Sequence, residues 1–213
     1  MRQIAISFSS QRLTLEGVVS VPQGGLGRYP AVVVCHPHPV FQGDMEHPLV
    51  QAICTALDQR GLATLRFNFR GVGGSEGEFT NGQKELKDVE AALKVAACWP
   101  GLDRRRMGLV GYSFGASVIL RGLSWLKSPR ALGLISPPLA AVETGPPRRE
   151  QRPRLFLVGD ADRISPSERL GEVVTAMAGS AEILIVPGVD HTWSGREAEA
   201  AEYTALFLAR TLA

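Results

Sequence analysis

The sequence predicts an α/β protein, with one mostly parallel sheet carrying helices on both faces. Three observations carry this expectation. From residue 31 onward, short β-branched runs alternate with segments of helical periodicity. The apolar share of the 213 residues is 45% and the charged share 21%, the balance of a globular chain. The reactive residue types fall directly after predicted strands, at the sheet edge where α/β proteins bind their ligands.

Residues 3–9 and 12–21 read as two strands joined in a hairpin, with Leu13, Leu15 and Val19 alternating against polar or small neighbours. A Pro- and Gly-rich surface loop follows over 22–30. Ala31-Val32-Val33-Val34-Cys35 is a continuous apolar run, which suits a strand covered on both faces. A helix is predicted over 48–60, a strand over 63–69 and a Gly-rich loop over 70–82. The helix over 83–98 puts Leu86, Val89, Leu93 and Ala97 on one face, and Pro100-Gly101 ends it. Strands are then expected at 107–111, 131–136, 155–158 and 182–186, and helices at 114–126, 166–178 and 196–212. A Pro- and Arg-rich loop is expected over 137–153. Parallel strands need such crossover connections, which are right-handed. The length fits one domain over residues 1–213.

Composition narrows the function classes. Net charge is +2, and Arg104-Arg105-Arg106 is far too short for a nucleic-acid footprint. It reads as a solvated helix-to-strand connection. Three cysteines without motif spacing argue against a disulfide framework or a zinc site, and Cys35 and Cys98 read as inert core thiols. No apolar h-region follows Met1, and no apolar run reaches the ~18 residues of a membrane helix. The expectation is a cytoplasmic protein with no nucleic-acid or membrane partner and no cofactor. Its oligomeric state is open, a homodimer included.

The chemistry begins at Gly111-Tyr112-Ser113-Phe114-Gly115, after a predicted strand and at the start of a predicted helix. That is the context of a nucleophile elbow, where glycines flank a turn too tight for side chains. The following helix directs its free amides and positive dipole end at the site. Asp160 and Asp162 follow strand 155–158, and His191 follows strand 182–186, at the same sheet edge. A serine hydroxyl is a weak nucleophile until a base takes its proton. His191 is the candidate base, and Asp162 the group that orients it. Asp160, closer to its strand end, reads as a turn former. Asp190 is a weaker rival, because immediate neighbours in sequence rarely face each other's rings.

His36-Pro37-His38-Pro39 follows strand 31–35. A metal site is disfavoured, since only Asp44, Glu46 and His47 lie nearby as partners. The two prolines lack N–H groups, which leaves the His38 amide as an isolated donor in a stiff loop. It is the candidate oxyanion donor, together with the amide of Phe114. His36 reads as a structural histidine. The stretch from Arg70 to Gly77 fits neither a phosphate-binding loop nor a dinucleotide fingerprint, and reads as a tight loop beside the site. Arg66, Asn68 and Arg70 read as structural polar groups near it.

With these residues in view, the chain resembles the α/β-hydrolase superfamily. More narrowly it resembles small bacterial serine hydrolases that combine a His-Pro-His-Pro loop (36–39), a Phe-Asn-Phe-Arg-Gly-Val-Gly strand end (67–73) and a Gly-Tyr-Ser-Phe-Gly elbow (111–115). The resemblance covers nearly the whole chain. It implies a sheet of about eight strands with the second antiparallel, the triad Ser113, Asp162 and His191, and oxyanion donors at His38 and Phe114. Relatives often carry a helical lid after the sixth strand, and residues 137–153 leave too little chain for one. The expectation is an open, shallow acyl pocket with Phe41, Tyr112, Phe114, Pro138, Leu139 and Trp193 as candidate walls. The expected activity is hydrolysis of small carboxylic esters or thioesters through an acyl-serine. A non-catalytic scaffold of the same fold and an acyltransferase are the alternatives.

Overall fold

The computed structural model describes residues 2–24, 27–144 and 150–213. Strands β1 (Arg2–Ser10) and β2 (Leu13–Val21) form the hairpin, paired from Arg2 with Val21 to Ser10 with Leu13. Gln11 and Arg12 both take positive φ, 50° and 73°, as a two-residue turn matched to strand twist requires. Then follow β3 (Tyr29–Cys35), α1 (Pro48–Asp58), β4 (Ala63–Phe67), α2 (Glu85–Cys98), β5 (Leu102–Tyr112) and α3 (Phe114–Gly122). The chain closes with β6 (Ala131–Ile135), α4 (Leu139–Thr144), β7 (Arg154–Gly159), α5 (Ser167–Thr175), β8 (Ala181–Val186) and α6 (Glu197–Leu212).

The eight strands form one sheet in the order β1-β2-β4-β3-β5-β6-β7-β8. Only β2 runs against its neighbours, and every pairing from β4 to β8 is parallel. After β3 the chain moves to one side to make β4, then returns to lay β5 on the other side. The strand order therefore reverses between β3 and β5, and a crevice opens at their carboxyl ends.

The β-branched run of β3 explains its central place. Val32 and Val34 pack into the layer of α1 and α6, against residues such as Leu49, Ile53 and Leu208. Val33 and Cys35 face the opposite layer, with Val89 of α2, Ile119 of α3 and Val173 of α5. Period-2 alternation thus becomes burial on both faces. Among the described residues no helix is long and apolar enough to cross a membrane.

Several sequence expectations change. Arg104–Arg106 lie inside β5, not in a connection. Between Tyr29 paired with Leu102 and Ala31 paired with Met107 the register shifts, and β5 bulges over the intervening residues. The bulge frees the arginines from the ladder, and Arg106 pairs with Asp103. Helix α4 occupies part of the expected 137–153 loop, whose residues 145–149 lie outside the described residues, as do 25 and 26 of the 22–30 loop. Among the described residues no cap domain stands between β6 and β7. Strand β4 ends at Phe67 and α3 at Gly122, both short of their predicted ends. Cys98 is exposed at the end of α2, whereas Cys35 and Cys54 are buried.

The Gly-rich loop after β4 is held by buried charge. Arg70 donates to both carboxylate oxygens of Asp88 on α2, at 2.7 and 3.0 Å, and Asp88 also accepts the Ser10 hydroxyl at 2.6 Å. Both partners are nearly inaccessible, at 4% and 0% side-chain exposure. A buried pair of this kind holds geometry, and losing one partner strands the other charge in a poor solvent. Asp88→Ala is therefore expected to destabilise the fold by about 3–5 kcal/mol, read as a lower urea midpoint at pH 7.

Candidate active site

Ser113 sits between β5 and α3 with φ 51° and ψ −106°, a conformation that L-residues avoid. Two glycines permit it. A methyl group on Gly111 would lie 2.5 Å from the Ala116 nitrogen, and one on Gly115 would lie 2.5 Å from the Cys35 carbonyl oxygen on β3. The backbone is pinned by the Ser113 amide, which donates to the Ile135 carbonyl at 2.9 Å. The turn thrusts the hydroxyl out at the carboxyl end of the sheet.

Two later strand ends bring their residues to it. The Ser113 Oγ lies 2.8 Å from His191 Nε2, and His191 Nδ1 lies 2.8 and 3.0 Å from the two oxygens of Asp162. Asp162 Oδ1 also accepts the amides of Ile164 and Ser165, at 2.9 Å each. Burial pushes the Asp162 carboxyl up. Hydrogen bonds from His191, the Ser165 amide and the Ser136 hydroxyl outweigh that and hold it below the usual carboxylate range. The carboxylate therefore stays charged, which favours the His191 tautomer with its proton on Nδ1 and Nε2 free to accept from serine.

The other acids take separate duties. Asp160 accepts the Gly188 amide at 2.7 Å and ties the loops after β7 and β8 together. Asp190 accepts the Thr192 amide and hydroxyl, so it faces away from the imidazole.

The 36–43 loop after β3 forms the opposite wall. His36 is fully buried, with Nδ1 2.6 Å from the Pro37 carbonyl and Nε2 accepting the Phe69 amide at 3.1 Å. Burial drives its pKa from 6.5 down to about 4, so it is neutral at neutral pH. His38 folds its Nδ1 onto the Val40 amide at 3.2 Å, and its carbonyl accepts the amides of Phe41 and Gly43. The main-chain amides of His38 and Phe114 make no hydrogen bond among the described residues, though both residues line the same cavity. Two unpaired donors beside a serine hydroxyl can receive a developing oxyanion. Asn68 secures this wall at long range, accepting the Met45 amide at 2.7 Å and donating to Glu16 at 2.6 Å.

Ser113, His191, His38 and Phe114 border a cavity of about 510 Å³. Of the expected walls, Phe41, Tyr112, Phe114 and Pro138 line it. Trp193 does not. Its ring is fully buried in the core beneath the site, and its Nε1–H donates to the Ser136 Oγ at 3.0 Å. The large apolar ring packs below the loop while its one polar atom finds a partner. Leu139 also packs against core residues and is not part of the wall. Sequence reasoning passed over His47, Asn81, Ser117, Arg121, Ile164 and Thr192, which line the cavity too. It also passed over Ser136, which holds Asp162 from below. The position of Ser136, directly after β6 at the carboxyl edge, was the available signal for it. None of residues 70–77 of the Gly-rich loop reaches the cavity wall, where Asn81 stands instead.

Comparison with known proteins then decides the family. The model of the FrsA-like esterases, "Esterase FrsA-like", matches residues 1–179. The chain belongs to this esterase family. An α-β serine hydrolase homologue from Coxiella burnetii superposes with a TM-score of 0.84 at 30% identity, covering 100% of this chain and 99% of its own. A serine hydrolase without a lid from Xanthomonas campestris gives 0.85 at 27% identity, covering 100% and 96%. Protein RP471 of Rickettsia prowazekii is 30% identical over 191 residues, 80% of this chain and 78% of its own length. Like these matches, the chain has the α/β-hydrolase fold, with no lid among the described residues.

The buried neutral His36 has a consequence for pH dependence. Its folded pKa lies below the ordinary value, so the unfolded chain binds more protons between about pH 6.5 and pH 4. Stability is expected to fall as pH drops through that window. The slope should be smaller in His36→Gln, measured by urea unfolding at half-unit pH steps.

Proposed function

We propose that this FrsA-like esterase hydrolyses small carboxylic esters or thioesters through an acyl intermediate on Ser113. The observation that carries the reading is the unbroken chain from the Ser113 Oγ through His191 to Asp162, with both links at 2.8 Å. In this reading the Ser113 oxygen attacks the ester carbonyl carbon while its proton passes to His191 Nε2. The carbonyl oxygen gains charge and is held by the free amides of His38 and Phe114. Asp162 keeps the ring in place and stabilises the imidazolium. Collapse of the tetrahedral species breaks the bond to the leaving group, which takes the proton from His191. Water then attacks the acyl-serine by the same route, with His191 again as base.

The shape of the cavity supports small substrates. Its rim is open, with Phe41 79% and Ile164 53% exposed, and no cap among the described residues covers it. Long acyl chains would leave much of their apolar length in water, so little affinity would follow from extra methylenes. The optimum is expected at short acyl chains in a p-nitrophenyl ester series.

Ser113→Ala is expected to abolish labelling by a fluorophosphonate probe and ester hydrolysis above background. Asp162→Asn, which loses the carboxylate but keeps its shape, is expected to lower kcat by about 10³–10⁴-fold with KM little changed. Stopped assays on p-nitrophenyl acetate and butyrate check both. Undiminished turnover by Ser113→Ala would overturn the proposal.

A further inference from the structure

Arg121 is the one permanently charged side chain among the described residues that line the cavity. It forms no ion pair and donates no hydrogen bond within the described residues. Some arginines of this chain find carboxylates, as Arg66 does with Glu46 and Arg70 with Asp88, while Arg12 and Arg163, exposed like Arg121, pair with none among the described residues. Arg121 stands in the last turn of α3, and helical side chains lean back toward the helix N-terminus. Its guanidinium follows that direction. A methyl group built on Gly82 would lie 2.5 Å from the Arg121 Nη1 and 3.8 Å from the Phe114 ring. The guanidinium therefore lies over Gly82, beside the ring that follows the nucleophile.

The wall leading to it is regular. Phe114, Ser117 and Arg121 are spaced i, i+3 and i+7, and so share one face of α3. From Ser113 to Arg121 the helix rises about 12 Å, which the folded-back side chain shortens. Asn81, the residue before Gly82, lines the same cavity. His38 Nδ1 accepts the Val40 amide, so its Nε2 carries the proton and faces the Asn81 Oδ1 at 3.4 Å. The Asn81 amide group is thereby turned to offer its N–H donors elsewhere. A guanidinium and an amide, both with donors to spare, flank an apolar channel that ends at a serine.

We propose that this channel receives an ester whose end remote from the scissile carbonyl carries a carboxylate, held by Arg121 with help from Asn81. The inference rests on Ser113 being the nucleophile, and it names the substrate class of that site. The planar guanidinium suits bidentate contact with a carboxylate. No carboxylate in the cavity lining opposes such a ligand, since Asp162 is buried behind His191.

The test compares charged and neutral esters of equal length. One pair places the carboxylate on the acyl side, mono-p-nitrophenyl glutarate against p-nitrophenyl valerate. The other places it on the leaving-group side, 4-acetoxybenzoate against 4-acetylphenyl acetate. In at least one pair the ratio of kcat/KM, charged over neutral, is expected to fall about tenfold in Arg121→Gln and to recover in part in Arg121→Lys. Added salt should lower the same ratio in the wild type. Equal losses on both members of each pair, or ratios that do not respond to Arg121, would overturn the inference while leaving the hydrolase reading intact. If no ester is turned over, the hydrolase reading fails. Calorimetry of monomethyl glutarate with Ser113→Ala and with Ser113→Ala/Arg121→Gln then decides the anion site alone. Binding lost with Arg121 supports the site, and absent or unchanged binding rejects it.

Discussion

The conformation of Ser113 is the constraint on which the site depends. A residue at φ 51° and ψ −106° is costly for any L-amino acid, and this one is held there from three sides. Its amide is bound to β6, Gly115 touches the carbonyl of Cys35 on β3, and Gly111 closes against the first turn of α3. Two of these contacts come from neighbouring strands, and the third from the helix that follows. The close-packed layers under the elbow therefore maintain its strain. The same turn leaves the Phe114 amide unpaired among the described residues, so the Ser113 hydroxyl and a free donor arise from one piece of backbone.

The remaining groups arrive by topology. The strand order reverses between β3 and β5, and the loops that leave those two strands carry His38 and Ser113. Strands β7 and β8 lie beyond, and their loops deliver Asp162 and His191 from the far side. Loops are mobile by default, and here each is tied down. Asp160 joins the last two loops, Asn68 braces the segment after His38, and Ser136 and Trp193 support Asp162 from the core. Rigid support of this kind keeps Ser113, His191 and Asp162 within hydrogen-bond reach of one another.

Trp193 shows how position along the chain can mislead. It lies two residues after His191, and an aromatic beside a reactive residue suggests a pocket wall. The backbone turns at positive φ, 57° at Trp193, and sends the ring inward. Burying that large apolar surface outweighs exposing it to a solvent-filled cleft, and Ser136 satisfies its one polar atom. Arg121 is the converse case. Nothing near it in sequence marks it, yet helical periodicity carries it onto the face of Phe114 and into the cavity.

By itself the sequence determined what depends on local pattern. Alternating strand and helix periodicities specified the layered α/β architecture, and glycines flanking Ser113 at a strand-to-helix junction specified the elbow. Strand-terminal positions marked Asp162 and His191, because a residue just past a parallel strand must stand at the carboxyl edge. Tertiary structure alone decided which side chains from distant segments meet in that edge. The bulge that takes in Arg104–Arg106, the inward turn of Trp193, the support from Ser136 and the unpaired guanidinium of Arg121 all depend on neighbours tens of residues away. Such contacts are set by how layers pack and how loops are braced, and no short-range pattern in the chain encodes them.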